Sequence, residues 1–194
     1  MTTETQITGI ILAGGKSSRM GFEKGLALYK NKPFIVHIIE ALQSVLKDII
    51  IVSSNKSYDQ FNLKRVHDII ENAGPLAGLY SGLSHSKTEN NIVLSCDIPL
   101  INPVLLTRLI NEISIKNDIV QFSINGRTNP LLAVYKKRCM APSLEALKRG
   151  ERRLQFFVNQ QKTKTITLES YLEKYTLNIN TKDQLNQLSH DFKN

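Results

Sequence analysis

After a polar MTTETQ, the chain enters ITGIILA (7–13), a continuous apolar and β-branched run bounded by Gly14 and Gly15. Such a run predicts a short strand buried on both faces. In KPFIVHIIEALQSVLKD (32–48), Phe34, Ile38, Ala41, Leu42 and Val45 recur at helical spacing with Pro33 near the first turn, which predicts a helix. DIIIVSS (48–54) and KRVHDII (64–70) read as the second and third strands. GPLAGLYSGLSHS (74–86) breaks the strand at Gly74 and Pro75 and continues at helical spacing, so it reads as a loop opening into a helix. NIVLSCD (91–97) is a fourth strand with an acid at its end, and NPVLLTRLINEISIK (102–116) a helix capped by Asn102 with Pro103 in first position.

This alternation builds right-handed crossovers: an α/β fold in three layers, with a parallel sheet between helices. Ligands of such sheets gather outside the carboxyl ends of the strands. The glycine loop after the first strand and Asp97 after the fourth both fall there, which predicts one shared crevice. Beyond residue 118 the pattern changes. DIVQFSI (118–124) and NPLLAVYKK (129–137), joined by NGRT, predict a hairpin or two mixed-direction strands, because Asn-Gly is a strong turn signal. The sheet is therefore expected to be mixed, though mostly parallel. A helix over 139–150 closed by Gly150, a short strand TKTITL (163–168) and a terminal helix over 181–190 capped by Thr181 complete the layers. No linker, repeat or low-complexity segment interrupts them, so residues 1–194 are expected to form a single domain.

Composition narrows the function classes. The charge is +8, but the 25 Lys and Arg are scattered, aromatics are 7%, and no basic stripe interleaves them, which disfavours nucleic acid as a partner. No apolar run approaches a membrane span, so neither a membrane partner nor a membrane location is expected. Cys96 and Cys139 are too few for a disulfide framework and too far apart for a zinc pattern; they read as core thiols of a cytoplasmic protein. The four histidines show no ligand spacing.

The most informative stretch is ILAGGKSSRMGFEKG (11–25). A Walker loop would need a glycine where Ile10 stands, and Gly14, Gly15 and Gly21 do not have dinucleotide-fingerprint spacing. What remains is a pair of glycines after a strand, followed by Lys16, Arg19 and Lys24. Glycines let backbone N–H groups approach an anion, and the three cations would offset much of a triphosphate's charge. A solvated tight turn with incidental charges is the alternative.

LAGGKSSRMGFEKGLALYKNKPFI resembles the signature of nucleotidyltransferases with a Rossmann-like nucleoside-triphosphate transferase fold, L-A-G-G, then R-M-G, then a lysine. GPLAGL (74–79), CDIPLI (96–101), NPLLAVY (129–135) and GERRLQFF (150–157) follow in order, and with them the chain resembles the molybdenum cofactor guanylyltransferase family. The resemblance implies transfer of GMP from GTP to the terminal phosphate of molybdopterin, with Mg²⁺ as cofactor and pyrophosphate as the second product. It also implies a GTP-binding half over 1–100 and a molybdopterin-binding half over 101–194, in a monomer with passing contacts to cofactor-insertion proteins and molybdoenzyme chaperones.

Residue roles follow from the resemblance position by position. The backbone of Leu12, Ala13 and Gly14 would read guanine and ribose, while Gly15, Arg19 and Lys24 would hold phosphates. Asp97 would ligate Mg²⁺, which accepts one carboxylate beside phosphates and waters; an ordinary helix cap is the other reading. Asp68 would accept guanine N1–H and N2–H, a donor pair that adenine and cytosine do not offer; it also reads as a surface acid. Ser53 and Asn55 are further nucleotide candidates. Gly74, Pro75, Leu76, Ala77 and Gly78 would present a helix start to the nucleotide, or simply initiate the helix. Asn129 and Pro130 would stand near the reacting phosphates, with Arg127 as an addition. Arg149, Arg152 and Arg153 would border the pterin pocket, or form a solvated face. A relative using CTP or a sugar or polyol phosphate, and a noncatalytic nucleotide-binding adaptor, are the competing functions.

Overall fold

The expected first strand, β1, spans Ile7–Leu12 and is buried along its whole length. The structure is a computed structural model and describes residues 6–14, 23–70 and 73–191. After β1 come the two-residue strands β2 (Leu28–Tyr29) and β3 (Lys32–Pro33), then α1 (Phe34–Gln43), β4 (Asp48–Val52), β5 (Lys64–Val66), α2 (Gly74–His85) and β6 (Asn90–Ser95). The second part runs α3 (Pro103–Asn111), β7 (Ile119–Ile124), β8 (Arg127–Lys136), α4 (Met140–Lys148), α5 (Leu154–Val158), β9 (Thr163–Thr167) and α6 (Lys182–Asp191).

Seven strands form one sheet in the order β5-β4-β1-β6-β8-β7-β9. The first four are parallel, β8 runs antiparallel to both β6 and β7, and β9 lies parallel to β7. This is the mostly parallel mixed sheet that the sequence pattern predicts. Side-chain alternation along β1 feeds two separate cores. Ile11 packs with Ile35, Ile38 and Leu42 of α1 and Leu105 and Leu109 of α3. Ile10 and Leu12 pack with Leu79 and Leu83 of α2, Leu147 of α4 and Phe157 of α5 on the opposite face. Because both faces are covered, the strand is continuously apolar rather than alternating.

Several element ends differ from the sequence reading. The first helix stops at Gln43, where the Ser44 hydroxyl turns back on the Ala41 carbonyl at 2.7 Å and offers the backbone an alternative to another helical turn. Lys32 and Pro33 belong to a hairpin with Leu28 and Tyr29. α3 ends at Asn111, which leaves Ile115 exposed. The Asn125-Gly126 turn is as expected: both residues have positive φ, 50° and 74°, and join β7 to β8. Thr181 caps the terminal helix by accepting from the Gln184 amide at 3.2 Å.

Two contacts fix α2, whose first turn faces the strand ends. At Gly82 the helix lies so close to β1 that a Cβ would stand 2.4 Å from Ile10 Cγ2. At the other end, the Lys137 ammonium donates to the carbonyls of Leu83, Ser84 and Ser86, which the helix leaves without internal partners. Gly82→Val should therefore push α2 off the sheet and lower stability by about 1–3 kcal/mol, the usual cost of overpacking a close-packed core, measured by urea unfolding.

Candidate active site

Four parallel strands finish on one level, and hydrogen bonds just past them keep their ends aligned. Ala13 N–H donates to the Val52 carbonyl at 2.9 Å, Ser53 N–H to Val66 at 2.9 Å, and Cys96 N–H to Leu12 at 3.1 Å. The sequence-predicted residues Leu12, Ala13, Gly14, Ser53, Asp68 and Asp97 are thereby brought to one edge of the sheet. Gly15 and Arg19 lie outside the described residues.

On one side of this edge, Asp68 sits two residues beyond β5 with its carboxylate between two glycines. A Cβ on Gly14 would be 3.6 Å from Oδ2, and one on Gly78 would be 3.6 Å from Oδ1. Gly78 also packs on the Leu12 side chain, so α2 and β1 enclose the Asp68 carboxylate closely at this edge. Among the described residues the first turn of α2 has no side-chain cap, Pro75 stands in it, and Gly74 takes φ +73°, a conformation open to glycine. Uncapped N–H groups at a helix start form a receptive end for an anion.

On the other side stands Asp97, only 7% exposed. Its Oδ2 faces Lys24 Nζ at 3.6 Å, and its Oδ1 accepts from Asn178 Nδ2 at 2.6 Å. Lys24 Nζ also donates to Asn180 Oδ1 at 2.5 Å, and Asn129 Nδ2 donates to Asn178 Oδ1 at 3.3 Å. The backbone joins in, with Ile179 N–H donating to the Asp97 carbonyl at 2.8 Å. Asn178 and Asn180 were missed in the sequence reading. Their signal is the polar-apolar-polar run Asn-Ile-Asn ahead of the capped α6: Ile179 drops into a small core with Ala27, Tyr29, Phe34 and Leu188, and its two neighbours turn the other way.

The remaining candidates have different surroundings. Ser53 is buried and its hydroxyl accepts from the Asn55 amide at 3.1 Å. The Asn55 side chain accepts from Ser57 N–H at 2.9 Å and donates to Glu23 Oε2 at 3.3 Å, so both of its ends are engaged within the protein. Pro130 offers its carbonyl to the Tyr135 hydroxyl at 2.7 Å. Arg152 curls back on the carbonyls of Leu147 and Glu151, and Arg153 pairs with Glu151 and stacks on Phe156. These arginines do not reach Asp97. They line a hollow of about 450 Å³ with Arg149, Gly150 and Phe156, and the Arg152 carbonyl would stand 3.2 Å from a Cβ on Gly74, so the hollow adjoins the α2 start.

For a cation, the donor set is a single carboxylate. Among the described residues no three His, Cys, Asp or Glu side chains gather as a metal cluster. Asp97 alone suits an ion such as Mg²⁺, which takes one or two protein carboxylates and completes its shell with substrate phosphates and water.

This fold and edge are of the nucleotidyltransferase class, as the family match and the names of its relatives indicate. A family profile described as MobA-like NTP transferase domain matches residues 9–165, and the chain belongs to that family. It is 38% identical over 183 residues to a probable molybdenum cofactor guanylyltransferase of Flavobacterium johnsoniae, covering 94% of this chain and 96% of that one. It is 31% identical over 198 residues to a Bacillus cereus protein of the same description, covering 98% and 99%. The crystal structure of molybdopterin-guanine dinucleotide biosynthesis protein A from Archaeoglobus fulgidus superposes with a TM-score of 0.81 at 20% identity, covering 95% of this chain and 97% of that one; it supports the fold. Among the described residues no helix is long and apolar enough to cross a membrane.

The Gly150–Arg153 turn carries a pH expectation. Glu151 accepts from the Arg153 side chain and from the amides of Arg153 and Arg152, and these bonds, the Arg153 side chain first, hold its carboxyl down at about 2 from an ordinary 4.5. The folded value lies below the unfolded one, so the turn's contribution is complete above about 4.5 and is lost as pH falls toward 2. A carboxyl ¹³C titration should place the Glu151 midpoint near 2, and Arg153→Ala should move it back toward 4.5.

Proposed function

We propose that this protein transfers GMP from GTP to the terminal phosphate of molybdopterin, releasing pyrophosphate. The observation that carries the reading is the Lys24–Asp97 pair at 3.6 Å on the carboxyl edge of the parallel strands, a cation and an anion set at the level where a nucleotide's phosphates would lie. The names borne by the relatives supply the substrates, and the arrangement of this chain's residues is compatible with them.

In this reading, guanine binds at the strand edge beside Gly14, and the Asp68 carboxylate accepts from its N1–H and N2–H. Adenine and cytosine lack that adjacent donor pair, so the carboxylate selects the base. The uncapped amides of α2 face the ribose-phosphate side. An oxygen of the acceptor phosphate attacks the α-phosphorus, a new P–O bond forms, the bond to the β-phosphate breaks, and pyrophosphate departs with the electron pair. No protein nucleophile is needed; positioning and charge neutralisation are. Lys24 neutralises charge on the phosphates, and Asp97 would hold Mg²⁺, which when bound supplies Lewis-acid stabilisation of the phosphoryl oxygens. Asn178 orients the Asp97 carboxylate through the 2.6 Å bond to Oδ1. The hollow beside Arg149, Arg152 and Arg153 adjoins the α2 start and offers the anionic pterin its own cations.

The same reading gives residues 1–100 the nucleotide and 101–194 the acceptor, within a single cytoplasmic chain acting as a monomer and handing its product on to other proteins. Asn178 and Asn180 come from the second segment yet contact the first, so the division is one of substrates and not of folding units.

Calorimetry with GTP, CTP and ATP, each with and without Mg²⁺, tests base, phosphate and metal together. GTP with Mg²⁺ should bind most tightly; equal binding of all three nucleotides would defeat the guanine assignment. Lys24→Ala and Asp97→Ala should each fold and lose about 100-fold or more in pyrophosphate release, the scale for removing one preorganised charge-stabilising group. Asp68→Asn should weaken GTP by about 10–100-fold, the worth of a hydrogen bond to a charged group, while changing CTP and ATP little.

A further inference from the structure

Among the described residues, Lys24 is the one cation placed against Asp97, and the groups that hold its neighbours come from the turn after β4, which takes no part in the chemistry described above. Glu23, immediately before it, reaches the turn that follows β4: its Oε1 accepts from the Tyr58 hydroxyl at 2.9 Å and its Oε2 from Asn55 Nδ2 at 3.3 Å. Gly25, immediately after it, packs its backbone against the same phenol. It lies so close that a Cβ there would meet the Tyr58 oxygen at 2.5 Å and Cys96 Cβ at 3.2 Å. One phenol therefore contacts the residues on both sides of Lys24, by a hydrogen bond to Glu23 and by packing on Gly25.

Tyr58 itself is 0% exposed. A phenylalanine would fill the same space without burying a hydroxyl, and a buried hydroxyl is costly unless its bonds are made. Burial first, then Cys96 and Glu23, pushes the phenol far above its ordinary range, so the hydroxyl keeps its proton and donates to Glu23. The segment that carries Tyr58 is braced in turn. It is a 3₁₀ turn over Lys56–Phe61, capped by Asn55. Arg65 forks onto Asp59 at 2.6 and 3.1 Å while also donating to the Ser53 carbonyl at 3.0 Å.

We propose that Tyr58, with Glu23, is a positioning residue for Lys24: the phenol holds the Glu23 carboxylate and packs on the Gly25 backbone, joining both neighbours of the lysine to the braced 56–61 turn, so the ammonium is presented to Asp97 and the phosphates from a fixed base. The inference rests on the proposed reaction for its consequence, and on the contacts above for the anchor itself. A long flexible side chain contributes to charge stabilisation only as far as its origin is held, because reorganisation at the moment of reaction offsets the gain.

The test is Tyr58→Phe in the full-length chain, alone and combined with Lys24→Ala. The single variant should unfold within a few degrees of wild type, exchange the Gly25 amide roughly tenfold faster, and lose about 5–20-fold in kcat for pyrophosphate release with a smaller change in KM for GTP, because the effect falls on a charge that matters most in the transition state. In the Lys24→Ala background the same substitution should cost nothing further, since the group it positions is gone. Glu23→Gln, which still accepts from the phenol, should recover most of the turnover that Glu23→Ala loses. An equal fold-loss in both backgrounds, or unchanged Gly25 exchange in Tyr58→Phe, would overturn the inference. If wild type itself releases no pyrophosphate, the proposed reaction fails, and the Gly25 exchange still decides the anchor.

Discussion

A buried carboxylate at the end of a central strand is the constraint around which the site side of the molecule is arranged. Asp97 follows β6, in the middle of the sheet, at a depth where an isolated charge would be strongly disfavoured. It is compensated from three directions: by Lys24 from the segment after β1, by Asn178 from the run ahead of α6, and by Asn129, through Asn178, from the start of β8. Each contributor comes from a different stretch of chain, so satisfying one acid draws the first strand, the antiparallel strand and the C-terminal run to the same place. The antiparallel direction of β8 is part of this: with Leu132 paired to Leu94, the start of the strand rises beside the end of β6.

The two halves of the edge are built by different physics. The Asp68 side is set by close packing of α2 on β1, where Gly82 allows an approach that a side chain would obstruct. Its dimensions are those of the core beneath it, and close-packed interiors do not adjust continuously. The Asp97 side is set by polar side chains, whose hydrogen bonds can be exchanged for others when a ligand brings its own charge. A rigid, close-packed side beside an exchangeable set of polar partners suits the proposed reaction, in which the nucleotide's identity is fixed and its phosphate bonds change.

Legibility in the sequence divides along the same line. The strands and helices of the first 111 residues could be read because burial on two faces writes itself as unbroken apolar runs, and amphipathic faces write themselves at three and four. Helix ends were read less well, since Ser44 and the Lys32–Pro33 hairpin end or delay α1 through local hydrogen bonds that carry no hydrophobic signal. Lys24, Asp97, Asp68 and the Gly74–Gly78 turn were visible through motif and position. Asn178 and Asn180 were not, because an extended polar segment acquires meaning only from what the fold places opposite it, 81 residues away for Asn178 and Asp97 and 156 for Lys24 and Asn180. Asn55 is the converse case: a residue type suited to a nucleotide that the fold commits to Glu23 and the Lys56–Phe61 turn.

The arginines of the Gly150–Arg153 turn make the final link between chemistry and architecture. As a sequence they are three cations near one another, equally compatible with a solvated face. In the fold, Glu151 draws Arg153 and two amides onto itself, and Arg152 turns back to Leu147, so the charges are ordered by the turn's own acid. An acid at the centre of a cationic turn lowers its net charge but fixes its geometry, and a fixed array discriminates between anions of different shape better than a mobile one. The same logic governs Lys24, whose neighbours Glu23 and Gly25 are held by a buried phenol. In both places the surroundings of a cation are fixed by groups of the protein itself, a turn's acid in one and a buried phenol in the other.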